Sequence, residues 1–195
     1  MGSDPKRLDG LSDDEAWAAV ALEHVTGGVV RAHDIGRLQG AYDLDLHLPR
    51  GRRAAVEVTT HTGPGVRHHD SLLGPRLRGR APSEPAPTNG SRPPGGSGVA
   101  SAVSELLLVP HLVRRSAKVA AVSGADERHL FVGLGEGGIE SGVYRWLGRP
   151  TSLPDDDPEV EEDGLTHLWL ATPWAGAPLV RWWRGHGWSV HDPGR

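Results

Sequence analysis

The chain has no cysteine, one phenylalanine, one methionine and only two lysines (Lys6 and Lys118) in 195 residues. Without cysteine there is no disulfide framework, thiolate nucleophile, Cys-ligated zinc or iron–sulfur cluster. With a single Phe, the large core volumes fall to the seven tryptophans, six of which follow residue 145. No window approaches the roughly 18 to 20 consecutive apolar residues that a membrane-crossing helix needs. The opening MGSDPKRLDG carries no apolar signal region, so a soluble, cytoplasmic protein without membrane partners is expected. Neither a Gly-x-Ser-x-Gly elbow nor a Gly-x-x-x-x-Gly-Lys phosphate loop is present, which leaves serine hydrolase and nucleoside-triphosphatase readings without support. What is abundant is glycine (27) and proline (16). The net charge of −4 is local, because seven acids lie within 155–163 and the rest of the chain is net positive. Arginine abundance goes with the Ala, Gly and Pro excess of a high-GC coding bias and is a weak sign of nucleic-acid binding.

Length and composition fit one domain over 1–195. Ser12-x-x-Glu15 is a capping box, opening a helix over 12–25 that Gly27-Gly28 ends. A short strand at 29–32 follows. Strands at 41–48 and 54–60, joined through Pro49–Arg53, make a hairpin. In the first, Tyr42, Leu44, Leu46 and Leu48 alternate with Asp43, Asp45 and His47, which assigns the two sets to opposite faces. Residues 75–98 are dominated by Gly, Pro and Arg and read as a disordered insertion. Helical spacing resumes over 99–122, where Pro110 kinks or splits the helix. A buried strand at 129–134, a short helix at 139–147, a strand at 165–171 and one more strand within 178–190 complete the chain. The fold class is therefore α/β, with a mixed central sheet flanked by helices.

Glu57 sits inside the apolar strand AAVEVTT, where an ionised carboxylate is costly unless solvent, a partner or a metal compensates it. A hairpin loop centred on Arg50 sets Asp43 opposite Glu57; one centred on Gly51 sets Asp45 there and Asp43 opposite Thr59. Either register aligns two carboxylates across one ladder, an arrangement that a divalent cation makes favourable. Asp43, Asp45 and Glu57 are hard oxygen ligands suited to Mg²⁺ or Mn²⁺. The competing reading is an amphipathic hairpin whose polar face is simply wet.

The order helix, three strands, helix, strand, with Asp43 and Glu57-Val58-Thr59 on the hairpin, resembles the PD-(D/E)XK nuclease-like superfamily. The resemblance covers about two thirds of the chain and implies a restriction-endonuclease-like αβββαβ core and metal-dependent hydrolysis of nucleic acid. It makes Asp43 and Glu57 metal ligands, with Asp45 the alternative first acid. Thr59 stands where the family's catalytic lysine belongs, and Lys118, on a helical stripe with His111 and Arg114, is the substitute the resemblance suggests. Thr59 would orient water, while His61, Arg114 and Lys118 would meet phosphate. The missing lysine motivates the alternative, a catalytically degenerate fold acting as a binding or accessory module.

Three other features compete. Gly133-x-Gly135-x-x-Gly138 has dinucleotide-fingerprint spacing, but the acidic run 155–163 stands where the next strand should be, so no nucleotide cofactor is expected. His61, His68, His69 and Asp70 have zinc-ligand chemistry without a recognisable spacing and read as a surface loop. Arg50, Arg52 and Arg53, Arg76, Arg78 and Arg80, and Arg114, Arg115 and Lys118 are candidate phosphate contacts, and the acidic run reads as a solvated loop or as a shield over a basic groove.

Overall fold

The computed structural model describes residues 8–33, 42–62, 71–83, 96–135, 141–150 and 152–194. Helix α1 (Asp13–Thr26) leads to strands β1 (Val29–Ala32), β2 (Leu44–His47) and β3 (Arg53–His61). Three helices follow: α2 (Gly74–Leu77), α3 (Gly96–Leu107) and α4 (Pro110–Ala120). Then come β4 (Glu127–Leu134), α5 (Ser141–Gly148), β5 (His167–Ala171), β6 (Leu179–Trp183) and β7 (Gly187–His191). The protein is α/β, with one seven-stranded mixed sheet in the order β1 to β7. Only the β3–β4 and β4–β5 pairs are parallel. Helices α2–α4 bridge the first of these junctions and α5 the second, as parallel neighbours require.

The expected capping box forms: Glu15 N–H donates to Ser12 Oγ at 3.3 Å and Ser12 N–H to the Glu15 carboxylate at 2.7 Å. Gly27 ends α1 in the left-handed region at φ 67°. At Gly28 a Cβ would stand 2.8 Å from the His47 carbonyl, so only glycine lets the chain pass this close to β2. Pro110 splits the predicted 99–122 helix into α3 and α4. The hairpin takes the Arg50-centred register, with Leu44 opposite Val56 and Leu46 opposite Ala54. Its turn accommodates Arg50 and Gly51 at φ 64° and 76°.

Two cores lie on the two faces of the sheet. On one, α3, α4 and α5 pack Val103, Leu106, Leu112 and Trp146 against Ala55, Leu130, Leu168 and Val180. On the other, α1 packs Trp17, Ala18 and Leu22 against Leu44, Leu46, Val56 and Phe131. Each fully buried Leu or Val side chain contributes about 1.5–3 kcal/mol relative to exposure. Both crossovers step the same way along the sheet, so right-handed connections put α3, α4 and α5 on one face, while the short α2 packs beside α1 on the other.

Four expectations change. Tyr42 packs with the α3–α5 core and not beside Leu44 and Leu46, because it precedes β2 and turns its hydroxyl to Asp45 at 2.8 Å. The tail forms two strands instead of one, Trp182 and Trp188 being cross-strand partners on either side of a turn at 184–186. The segment 75–83 is ordered: the Arg76 guanidinium donates to the Thr172 and Ala177 carbonyls, both at 2.8 Å, and lies 4.4 Å over the Trp17 ring. Residues 84–95, the remainder of the expected insertion up to α3, lie outside the described residues. The acidic run is tied down as well as solvated, since Asp157 accepts from the Trp182 indole at 2.8 Å and Glu162 from Ser116 at 2.8 Å. Among the described residues no helix is long and apolar enough to cross a membrane.

Candidate functional site

Residues Ala54 to Val58 are all buried, which makes β3 a central strand covered on both faces, and Glu57 is among them at 0% exposure. Its carboxylate points to the α3–α5 side, where α4 answers it. Lys118 Nζ lies 2.9 Å from Oε1 and 2.8 Å from Oε2, and the Arg115 guanidinium pairs with Oε1. Oε2 is buried and receives no well-directed hydrogen bond. The register carried one step past Leu44–Val56 brings Asp43 opposite Glu57. Asp43 accepts the Val58 N–H at 2.7 Å, and its other oxygen is 4.0 Å from Lys118 Nζ, so one ammonium spans both acids. Burial, and then the neighbouring Glu57 charge, push the Asp43 carboxyl up to about 6. Glu15, at the start of α1, adds to that upward push across the sheet end.

Asp45 belongs to a separate cluster. Tyr42 OH and Arg53 donate to its Oδ1 at 2.8 and 3.0 Å, and His33 Nδ1 is 2.7 Å from Oδ2. Although burial opposes it, these hydrogen bonds hold Asp45 below the usual carboxylate range. Thr59 is half-buried two residues beyond Glu57 on the same side of β3. His61 stacks on His111, with ring centroids 5.0 Å apart. Arg114 is exposed. The stripe of α4 that meets the sheet is thus His111, Arg115 and Lys118, not His111, Arg114 and Lys118; both spacings are helical, and packing selects the first. Arg78 pairs with Asp13, and Arg52 with Glu127. His68, His69 and Asp70, and Gly138 of the glycine motif, lie outside the described residues.

A second polar cluster, absent from the sequence reading, lies on the opposite face. Glu127 and His129 alternate on β4, and His167 is the direct partner of His129 on β5. These three residues form a candidate metal-binding triad, with one ligand-type atom from each lying within 4.8 Å of the others. His129 Nε2 is 2.9 Å, and His167 Nδ1 3.8 Å, from Glu127 Oε2. Burial lowers the His129 pKa, and burial with the adjacent His129 and Arg181 takes His167 down to about 2, so both imidazoles are neutral at pH 7. The signal available in the sequence was Glu-x-His at strand spacing plus a histidine in the next buried strand.

No protein-family model, no curated protein and no solved structure matches the chain.

Proposed function

We propose that the Asp43–Glu57–Lys118 cluster is the site of a metal-dependent phosphodiesterase acting on nucleic acid, in a divergent PD-(D/E)XK nuclease-like core formed by α1, β1–β3, α3–α4 and β4. The observation that carries this reading is Lys118: an amine from the following helix bridges the two hairpin carboxylates, where the resemblance needs a lysine and Thr59 cannot supply one. Strands β5–β7 enlarge the sheet beyond that core.

The donor set fits Mg²⁺ or Mn²⁺: two carboxylates converge, and the buried Glu57 Oε2 lacks a directed hydrogen bond. An ion held by Asp43 and Glu57 would supply Lewis-acid polarisation of a phosphodiester. Lys118 offsets the charge that develops on the phosphoryl oxygens, and its release from Glu57 accompanies substrate entry. Thr59 orients the attacking water, and Arg114, exposed on the outer side of α4, meets the flanking backbone. His61, stacked on His111 farther along β3, donates to a neighbouring phosphate.

Calorimetry with Mg²⁺ and Mn²⁺ tests the reading, together with cleavage of single- and double-stranded DNA and RNA. The expected result is weak metal binding abolished by Asp43→Ala or Glu57→Ala and cleavage lost in Lys118→Met. Absence of binding at millimolar metal overturns it. A second reading, a binding module on the same fold, is favoured by the pairing of Glu57 with both Arg115 and Lys118, which compensates the buried charge without an ion. Metal-independent nucleic-acid binding without cleavage is its signature.

A further inference from the structure

We propose that Glu127, His129 and His167 hold a single borderline transition-metal ion, Zn²⁺ in preference to Mg²⁺, which clamps β4 to β5 on the sheet face opposite Asp43 and Glu57. Two nitrogens and one carboxylate oxygen are the donor set that Zn²⁺ shares with Co²⁺ and that Mg²⁺ does not favour. The backbone supplies the convergence. Parallel register puts His129 directly beside His167, with their ring centroids 4.1 Å apart, and the strand alternation puts Glu127 on the same face. A tetrahedral ion with ligands at about 2.0–2.1 Å separates them by roughly 3.3 Å. The Glu127 Oε2 separations of 2.9 Å to His129 Nε2 and 3.8 Å to His167 Nδ1 bracket that value. Closing the site takes side-chain adjustment and a proton shift on each imidazole.

The surroundings already resemble an outer shell. Arg52 donates to Glu127 Oε1 at 2.7 Å and leaves Oε2 to face the imidazoles. Thr166 Oγ1 competes for the ligand nitrogen: its hydroxyl donates to the Arg128 carbonyl at 3.0 Å, so it accepts from His167 Nδ1–H at 2.9 Å, and that proton must move to Nε2 before Nδ1 can ligate. Trp169 is a second competitor. Its indole N–H, which can only donate, reaches His129 Nδ1 at 3.3 Å and so keeps the imidazole proton on Nε2, facing Glu127. For Nε2 to ligate, that proton moves to Nδ1 and the Trp169 N–H turns away. At 3.3 Å this bond is longer than the ordinary range and is the weakest link in the cluster.

The experiment is titration of the Glu57→Gln protein with Co²⁺ and Zn²⁺, followed by calorimetry, cobalt visible absorption and thermal melting. The Glu57→Gln background silences the other site, so failure here and failure of the phosphodiesterase reading are separate results. Expected are one equivalent bound, tetrahedral cobalt bands, a raised Tm and no displacement by millimolar Mg²⁺. His129→Gln and His167→Asn lower the affinity by about 100-fold or more. Glu127→Gln, which preserves shape, does likewise if either histidine variant fails to fold. Trp169→Phe removes the competing donor and raises the affinity by about 2- to 10-fold. No binding, binding indifferent to all three ligand substitutions, or ready displacement by Mg²⁺ overturns the proposal.

Discussion

The two buried polar clusters solve one problem in opposite ways. On the α3–α5 face, Glu57 and Asp43 are acids brought together by an antiparallel hairpin, and their charge is met by cations reaching down from α4. On the α1 face, His129 and His167 are brought together by a parallel pair, and burial keeps them neutral beside a single acid. The first cluster is a charge balanced by opposite charges; the second is a neutral pair of rings held by hydrogen bonds to Glu127, Thr166 and Trp169. One sheet thus holds an oxygen-rich cluster where a hairpin faces a basic helix, and a nitrogen-rich cluster where two central strands run side by side.

Breaking the first cluster has the largest expected effect. Glu57→Ala removes the charge-assisted hydrogen bonds of Lys118 and Arg115 to a buried carboxylate and costs roughly 3 kcal/mol, read by urea denaturation. A loss below about 1 kcal/mol would mean that solvent already compensates those cations. The second cluster breaks with acid. Because the folded-state pKa of His167 is depressed below its unfolded value near 6.5, stability is full above that pH and falls as the pH drops toward the folded value of about 2. His167 alone accounts for about 2 kcal/mol lost by pH 5, and His167→Asn flattens the profile between pH 7 and 5 in pH-dependent melts. The smallest effect sharpens the contrast. Asp43 has a raised pKa, so its contribution to stability is present at low pH and is lost as the pH rises through about 6. Asp43→Asn is expected to stabilise the fold at pH 8 by about 1 kcal/mol while abolishing the metal response, whereas at pH 4 the two proteins melt alike.

Much of this architecture could be read from residues whose signal is local. Ser12-x-x-Glu15, Gly27 and Pro110 bound their helices as expected, since caps and proline geometry act within a few residues. The Asp43–Glu57 pairing was legible because alternation left only two registers. What escaped was decided by packing between distant segments. Arg114 and Arg115 satisfy the same helical periodicity, and only the docking of α4 on β3 turns Arg115 inward. His129 and His167 are 38 residues apart in sequence, and nothing short of the strand order makes them neighbours. Arg76 lies in a stretch with the composition of a disordered linker, yet two carbonyls and an indole face fix it.

The strand order carries a kinetic consequence. Each strand lies beside its predecessor in the chain, so the sheet consists of two local meanders, β1–β3 and β5–β7, with β4 between them. The longest excursion is the 65 residues separating His61 from Glu127, and its closure precedes the gain from the β3–β4 ladder. Loop-closure entropy grows only logarithmically, so shortening that excursion by half would recover about 0.6 kcal/mol. Of the two parallel seams, β3–β4 closes the longer loop, and both candidate sites lie against it.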